Sequence, residues 1–203
     1  MVNGSKKGTI MNKNEEQILV VKREHILPKP VHGFVPISKF NKNLEKALQH
    51  IEVKRRGDME EDPTYKQLIS YVVVKNDKDE VLVYTRLKGG GESRLHGQSS
   101  IGVGGHMNPS GSLEGDQLLL ENTYRELDEE IGVKPEQLGL IGVINDDTNP
   151  VGEVHIGLVY LADIGNKPIH ITETDTLKVE FVKTFENREY ETWSQLIIDA
   201  HVV

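Results

Sequence analysis

Arg125-Glu126-Leu127-Asp128-Glu129-Glu130-Ile131-Gly132-Val133 is the stretch on which the reading of this chain turns. Glu126, Glu129 and Glu130 stand at i, i+3 and i+4, a spacing that gathers three carboxylates on one face of a helix. Leu120, Tyr124, Leu127 and Ile131 recur at intervals of 4, 3 and 4 and predict an apolar stripe on another face. Asp116 is placed to cap the start, Gly132 to take the left-handed position after the end, and Pro135 to bar continuation. The segment therefore reads as a helix of about fifteen residues, packed through its leucine side and crowded with anions on the other. Like charges one turn apart cost roughly a few tenths of a kcal/mol per pair. Asp128 and Glu121 add to the crowding, and Arg125 is the only cation between them. A hard divalent cation, Mg2+ or Mn2+, would turn that repulsion into a ligand set. A solvated acidic helix face is the alternative for the glutamates taken alone.

The context decides between the two. It resembles the signature of the Nudix hydrolases, G-x5-E-x7-R-E-U-x-E-E-x-G-U, in which U is aliphatic. Arg125, Glu126, Leu127, Glu129, Glu130, Gly132 and Val133 match its second half without a miss, a far more specific signal than a lone glycine motif. The first half departs from the pattern. Counting back from Arg125 puts Gln117 where the family has glutamate and Gly111 where it has the leading glycine. Alternatively the Gly104–Gly105 pair begins the box, and Asn108 to Gly115 contains an insertion. Val103-Gly104-Gly105-His106 follows an apolar strand-like run, as the family's catalytic loop does, which favours the second alignment. Glu114 or Asp116 would then supply the missing acid.

The resemblance covers about residues 67 to 200 and implies an α/β chain, a Nudix-type α/β/α sandwich with a mixed β-sheet. It implies cleavage of a diphosphate within a nucleoside diphosphate linked to another moiety, with Mg2+ or Mn2+ as cofactor. Carried over residue by residue, Glu126, Glu129 and Glu130 are the metal ligands, and the carbonyl of Gly105 completes the shell. Arg125 orients the carboxylates through a charge-assisted hydrogen bond, so Glu129, Arg125 and Glu130 form the catalytic set. Glu129 is the first candidate for the general base, with Glu153 behind it because some members place the base outside the box. An isopentenyl diphosphate isomerase would need a catalytic cysteine, and the chain has none. A catalytically weak module that binds a nucleotide as a sensor is the other reading, and Gln117 is the residue in its favour. Homodimers are common in the family and are an expectation here on that ground alone.

The rest of the chain reads as an ordinary soluble protein, at 36% hydrophobic and 28% charged residues. No apolar run approaches the roughly 20 residues needed to cross a bilayer, and the first twenty residues lack the apolar core of a signal peptide. The absence of cysteine excludes disulfides and thiolate zinc sites and fits a cytoplasmic location. A net charge of -8 argues against nucleic acid as a partner, apart from a capped or nucleotide end. A small phosphorylated substrate then needs a metal or a local basic patch.

Residues 1–15 read as a flexible tail, 16–62 as an extension packed on the main domain, and 63–203 as that domain. Ile18 to Val21 is a β-type run, and Pro28, Pro30 and Pro36 predict an extended loop. Asn41 to Ile51 has the spacing of an amphipathic helix. Lys54-Arg55-Arg56, followed by Asp58, Glu60, Glu61 and Asp62, reads as a self-neutralising loop. Gln67 to Val74 and Glu80 to Tyr84 predict a hairpin about Asn76 to Asp79. The glycine-rich stretch after it carries Arg86, Lys88, Arg94 and His96, which suit contact with phosphate oxygens. Leu138 to Ile144, Val151 to Ile164 and Leu177 to Val182 read as strands, with Glu153 and His155 on one strand face. Asn187 to His201 reads as a closing helix. The eight histidines are scattered, and none is assigned to a metal.

Overall fold

The computed structural model describes residues 12–87, 97–171 and 177–203. Its spine is the run Leu68 to Val74, where β-branched and aromatic side chains suit a strand buried on both faces. This strand, β4 (Tyr65–Lys75), follows β1 (Gln17–Lys22), α1 (Arg23–Ile26), β2 (Gly33–Pro36), α2 (Ile37–Leu48), β3 (Ile51–Arg55) and α3 (Arg56–Met59). After it come β5 (Val81–Arg86), the short β6 (Ser99–Ser100) and β7 (Gly102–Val103), and the long α4 (Gly115–Ile131). The chain closes with β8 (Gln137–Asn145), α5 (Pro150–Val154), β9 (His155–Asp163), β10 (Leu177–Val182) and α6 (Thr192–Asp199).

The strands form one mixed sheet in the order β10-β5-β4-β9-β8-β2, with β1 beside the start of β4 and β3 beside β1. Parallel pairing of β4 with β9, from Gln67↔His155 to Lys75↔Asp163, is its longest register. Alternation along β4 divides the core. Leu68, Val72 and Val74 pack with Phe40 and Leu44 of α2 and Leu119, Leu127 and Ile131 of α4. Tyr71 and Val73 face the other way and pack with Ile197 of α6. The result is an α/β/α sandwich, as the resemblance implied. Tyr71 also ties α6 down, its hydroxyl lying 2.8 Å from Glu191 Oε1 and 2.7 Å from Ser194 Oγ.

Several local readings change. Helix α4 starts at Gly115, and Glu114, not Asp116, takes the N-cap position without a side-chain bond. Its end is as read: Gly132 has φ 59° and donates its N–H to the Asp128 carbonyl. The buried stripe, however, runs through Leu119, Thr123, Leu127 and Ile131, while Leu120 and Tyr124 are each 37% exposed. Thr123 explains the error. Its hydroxyl donates to the Leu119 carbonyl and lies 3.2 Å from Ser70 Oγ, so a polar residue takes a core position that pattern-reading gave to Tyr124.

The helix read over Asn41 to Ile51 spans Ile37–Leu48, and Ile51 opens β3. The prolines bracket a loop, but Pro36 itself lies in β2. Lys54, Arg55 and Arg56 sit at a strand-to-helix junction, not in a loop. Their charges are neutralised by neighbours: Lys54 by Glu52, Arg55 by Glu15 and Asp58, Arg56 by Glu16 and Glu60. Val151 to Ile164 is not one strand. Asn149 accepts a hydrogen bond from Gly152 N and Pro150 opens the turn, which makes Pro150–Val154 helical before β9 begins.

One ion pair, between a buried lysine and a partly exposed aspartate, locks these segments together. Lys66 is fully buried and donates to Asp147 Oδ1 at 2.7 Å, Gly152 O at 2.8 Å and His155 O at 3.1 Å. Arg23 grips the same carboxylate through two bonds of 2.8 and 3.1 Å. Burial lowers the Lys66 pKa to about 8 despite the pull of Asp147. Burial also opposes ionisation of Asp147, but the bonds from Arg23 and Lys66 outweigh it and hold its pKa well below 3.8. A depressed carboxylate contributes stability that is complete above its unfolded pKa and lost as pH falls towards the folded one. Lys66→Met leaves the buried Gly152 and His155 carbonyls without that donor, while Arg23 still holds Asp147, and should lower urea-unfolding stability by about 1–3 kcal/mol; Asp147→Asn should flatten the decline in stability below about pH 4. A Lys66→Met loss under about 0.5 kcal/mol would contradict this role.

Candidate active site

The site is built where the loop after β7 crosses β4 and meets α4. Gly104 has φ 143°, and a Cβ there would stand 2.0 Å from the Ser70 carbonyl oxygen, so the backbone lies against β4 where no side chain fits. The Gly105 carbonyl accepts the Ser70 N–H at 2.9 Å. A Cβ at Gly105 would stand 2.8 Å from Glu126 Oε2. The glycine pair thus lets the loop press on a carboxylate that is 7% exposed.

Burial raises the Glu126 pKa above 4.5, Arg125 opposes the rise, and the charges of Glu129 and Glu16 add to it. Arg125 is the organiser. Its Nη2 lies 2.7 Å from Glu126 Oε1, 3.0 Å from His106 O, 2.8 Å from Asn108 Oδ1 and 3.1 Å from Asn122 Oδ1. Two N–H bonds shared among four oxygens hold that nitrogen in place without any single contact being decisive. Its Nη1 donates to Glu129 Oε2 at 3.0 Å.

Asn122 and Asn108 make the clamp reciprocal. Asn122 Oδ1 accepts the Asn108 N–H at 2.7 Å, and Asn122 Nδ2 donates back to the Asn108 carbonyl at 2.9 Å. Asn108 Nδ2 reaches Glu16 Oε1 at 2.9 Å, joining the segment before β1 to the site. Sequence reading missed both asparagines. The signal was faint: Asn122 stands one turn before Arg125 on the helix, but nothing local links it to Asn108.

Glu129 and Glu130 are exposed on the outer part of the same helix face. Tyr84, whose hydroxyl donates to the Gly102 carbonyl at 2.8 Å, is pushed up to about 12 by burial. Glu130 and Arg86 both act on Tyr84 electrostatically, in opposite directions. Arg86 shares the strand face of Leu82 and Tyr84 by the period of two, the face covered by α4. Lys88, Arg94 and His96 lie outside the described residues.

Glu153 is corrected. It sits exposed on α5 with its carbonyl accepting Arg23 Nη2 at 2.6 Å, and it does not share a strand face with His155. Gly111 lies exposed with φ 54° and nothing within 4 Å of a built Cβ, whereas Gly104–Gly105 touches the Glu126 region. Gln117 is exposed near the start of α4.

The donor set suits a hard divalent cation. A desolvated Glu126 carboxylate, two further carboxylates one turn on and the neighbouring Gly105 carbonyl are all oxygen donors. Among the described residues, the three helix carboxylates do not stand within 4.8 Å of one another as one ligand set, and Arg125 bridges two of them, Glu126 and Glu129.

The NUDIX domain family model matches residues 66–196, most of the chain. The chain belongs to the Nudix family. It is a Nudix-type pyrophosphohydrolase. Protein YmaB of Bacillus subtilis (strain 168) is 39% identical over 206 aligned residues, covering 93% of this chain and 98% of the relative. The crystal structure of Tm1382, itself a proposed Nudix hydrolase, superposes with a TM-score of 0.76 at 28% identity, covering 92% of this chain and 98% of Tm1382. The MutT Nudix hydrolase of Burkholderia pseudomallei shares the fold at 18% identity, with a TM-score of 0.51 over 66% of this chain and 96% of its own. Residues 12 to 65, before the Nudix match, supply β1, β2 and β3 to the Nudix sheet.

The close approach of Gly105 to Glu126 gives a direct test. Gly105→Ala should leave the melting temperature within a few degrees of wild type, because the obstructing atom ends a side chain, yet displace the Glu126 carboxylate. Turnover should fall about 100-fold. Unchanged turnover would show that the contact does not position Glu126.

Proposed function

We propose that this Nudix enzyme hydrolyses the diphosphate bond of a nucleoside diphosphate linked to another moiety, or of a related small organic diphosphate, with Mg2+ or Mn2+ and in the cytoplasm. The observation that carries the reading is the buried Glu126 carboxylate, pressed against Gly105 and bracketed by Arg125. Its raised pKa marks a site where ionisation is costly until a cation is added. Glu126, Glu129 and Glu130, with the Gly105 carbonyl, would hold that cation. When bound, it supplies a Lewis acid that neutralises diphosphate charge and activates water for attack.

The chain's own groups do the rest. Arg125 keeps Glu126 and Glu129 oriented, and its ties to His106 and Asn108 fix the loop to the helix. Glu129 takes the proton of the attacking water, since it is exposed and held by one arginine bond while Glu126 is buried. Arg86, with Lys88, Arg94 and His96 from the neighbouring stretch, binds the phosphate oxygens.

A panel of nucleoside triphosphates, ADP-ribose, NADH, dinucleoside polyphosphates, nucleotide sugars and capped RNA tests this, assayed with Mg2+ or Mn2+. One class should be cleaved, and Glu129→Gln or Glu130→Gln should lower kcat by roughly 100-fold or more. Arg86→Ala should raise KM with a smaller effect on kcat. Near-normal turnover in both glutamine variants would overturn the assignment. Tight nucleotide binding without turnover would favour the sensor reading and point to Gln117.

A further inference from the structure

His106 and His155 lie 49 residues apart in sequence and face each other in the fold, with Nε2 atoms 3.1 Å apart and ring planes at 72°. His155 is 7% exposed, and its Nδ1 lies 2.6 Å from the Val151 carbonyl. That oxygen only accepts, so Nδ1 carries the proton and Nε2 presents a lone pair to His106. His106 Nε2 is also 2.7 Å from Gln67 Oε1. The Gln67 amide is not free to turn, because its Nε2 donates to the Met59 carbonyl at 3.1 Å. Gln67 and His155 are register partners on β4 and β9, so their side chains rise from the same face. Glu60, just past α3, completes the group: one ligand atom each from Glu60, His106 and His155 lie within 4.8 Å of one another.

We propose that Glu60, His106 and His155 form a second metal site, for a borderline transition ion of the Zn2+ class, with Gln67 Oε1 as the adjoining fourth donor. Two imidazoles and a carboxylate suit Zn2+, whereas the all-oxygen set on α4 suits Mg2+ or Mn2+. The bond from His155 Nδ1 to Val151 is the outer contact that orients a ligating imidazole. Arg56 Nε holds Glu60 Oε1 at 3.0 Å and so limits where that carboxylate turns.

Without an ion, the His106 Nε2–H serves Gln67 Oε1 and His155 Nε2 together. With one, the His106 proton resides on Nδ1, and both Nε2 lone pairs face the cation. Zinc–ligand distances of about 2.0–2.2 Å require the two nitrogens to part by only a few tenths of an ångström. The site joins three segments that the sequence keeps apart: α3, the catalytic loop and the start of β9. His106 directly follows Gly105, and its carbonyl is held by Arg125, so an ion here would brace the catalytic loop from behind.

The test uses the full chain, freed of metal and carrying Glu129→Gln and Glu130→Gln to weaken the hard-cation site. Calorimetric titration with Zn2+ should give one equivalent, and Co2+ should give the visible absorption of a tetrahedral centre. Adding His155→Gln, or separately Glu60→Gln, should weaken Zn2+ binding by about tenfold or more and remove the Co2+ band. Glu60 is exposed, so its variant keeps the test valid if His155→Gln fails to fold. No Zn2+ uptake, or the same affinity in the Glu60→Gln chain, would overturn the proposal and leave a neutral hydrogen-bonded histidine pair.

Discussion

A carboxylate held out of water against glycine backbone is the constraint around which this protein is arranged. Glu126 is 93% buried, as its 7% exposure states, and burial alone would make a neutral acid preferable. Arg125 opposes that preference. The four oxygens around Arg125 Nη2 come from the loop after β7 and from α4, so the same group that tempers the carboxylate also seats the loop on the helix. Gly104 and Gly105 make the approach sterically possible. A side chain at Gly104 would lift the loop off the Ser70 backbone, and one at Gly105 would push the Glu126 carboxylate aside; remove the arginine and an acid is left buried with its neighbours' negative charge.

The sheet supplies the platform. Parallel pairing of β4 with β9 puts Ser70 under the glycine loop and Thr123 of α4 above it, while alternation sends Tyr71 to the opposite layer and α6. The segment before the matched Nudix region belongs to the same construction. It brings β1 to β4, Glu16 to Asn108 and Arg23 to Asp147. The Lys66–Asp147 pair then fixes α5 and the start of β9, and hence the position of His155.

Much of this was legible from residues alone. The glutamate spacing from Arg125 to Val133, the strands around Val72 and Val83, and the glycine stop at Gly132 all express local chemistry, and local chemistry is what sequence periodicity reports. The failures share a cause. Thr123 occupies a core position because Ser70, more than fifty residues away, gives its hydroxyl a partner, so the apolar stripe was read one residue out of register. Val151 to Val154 was read as the start of a strand because both valines favour one, while Asn149 capping and the bond from Lys66 to Gly152 decide for a helical turn. The histidine pair was invisible because His106 and His155 are joined only by the crossing of the loop over β4 and the β4–β9 register.

The most direct test of the account is the pKa of Glu126 itself, followed by carboxyl-carbon NMR in metal-free protein labelled at glutamate and assigned with Glu126→Gln. The account predicts a value above 4.5 without metal and a clear fall when Mg2+ is added. An ordinary value that Mg2+ leaves unchanged would contradict the claim that this buried carboxylate is the seat of the cation.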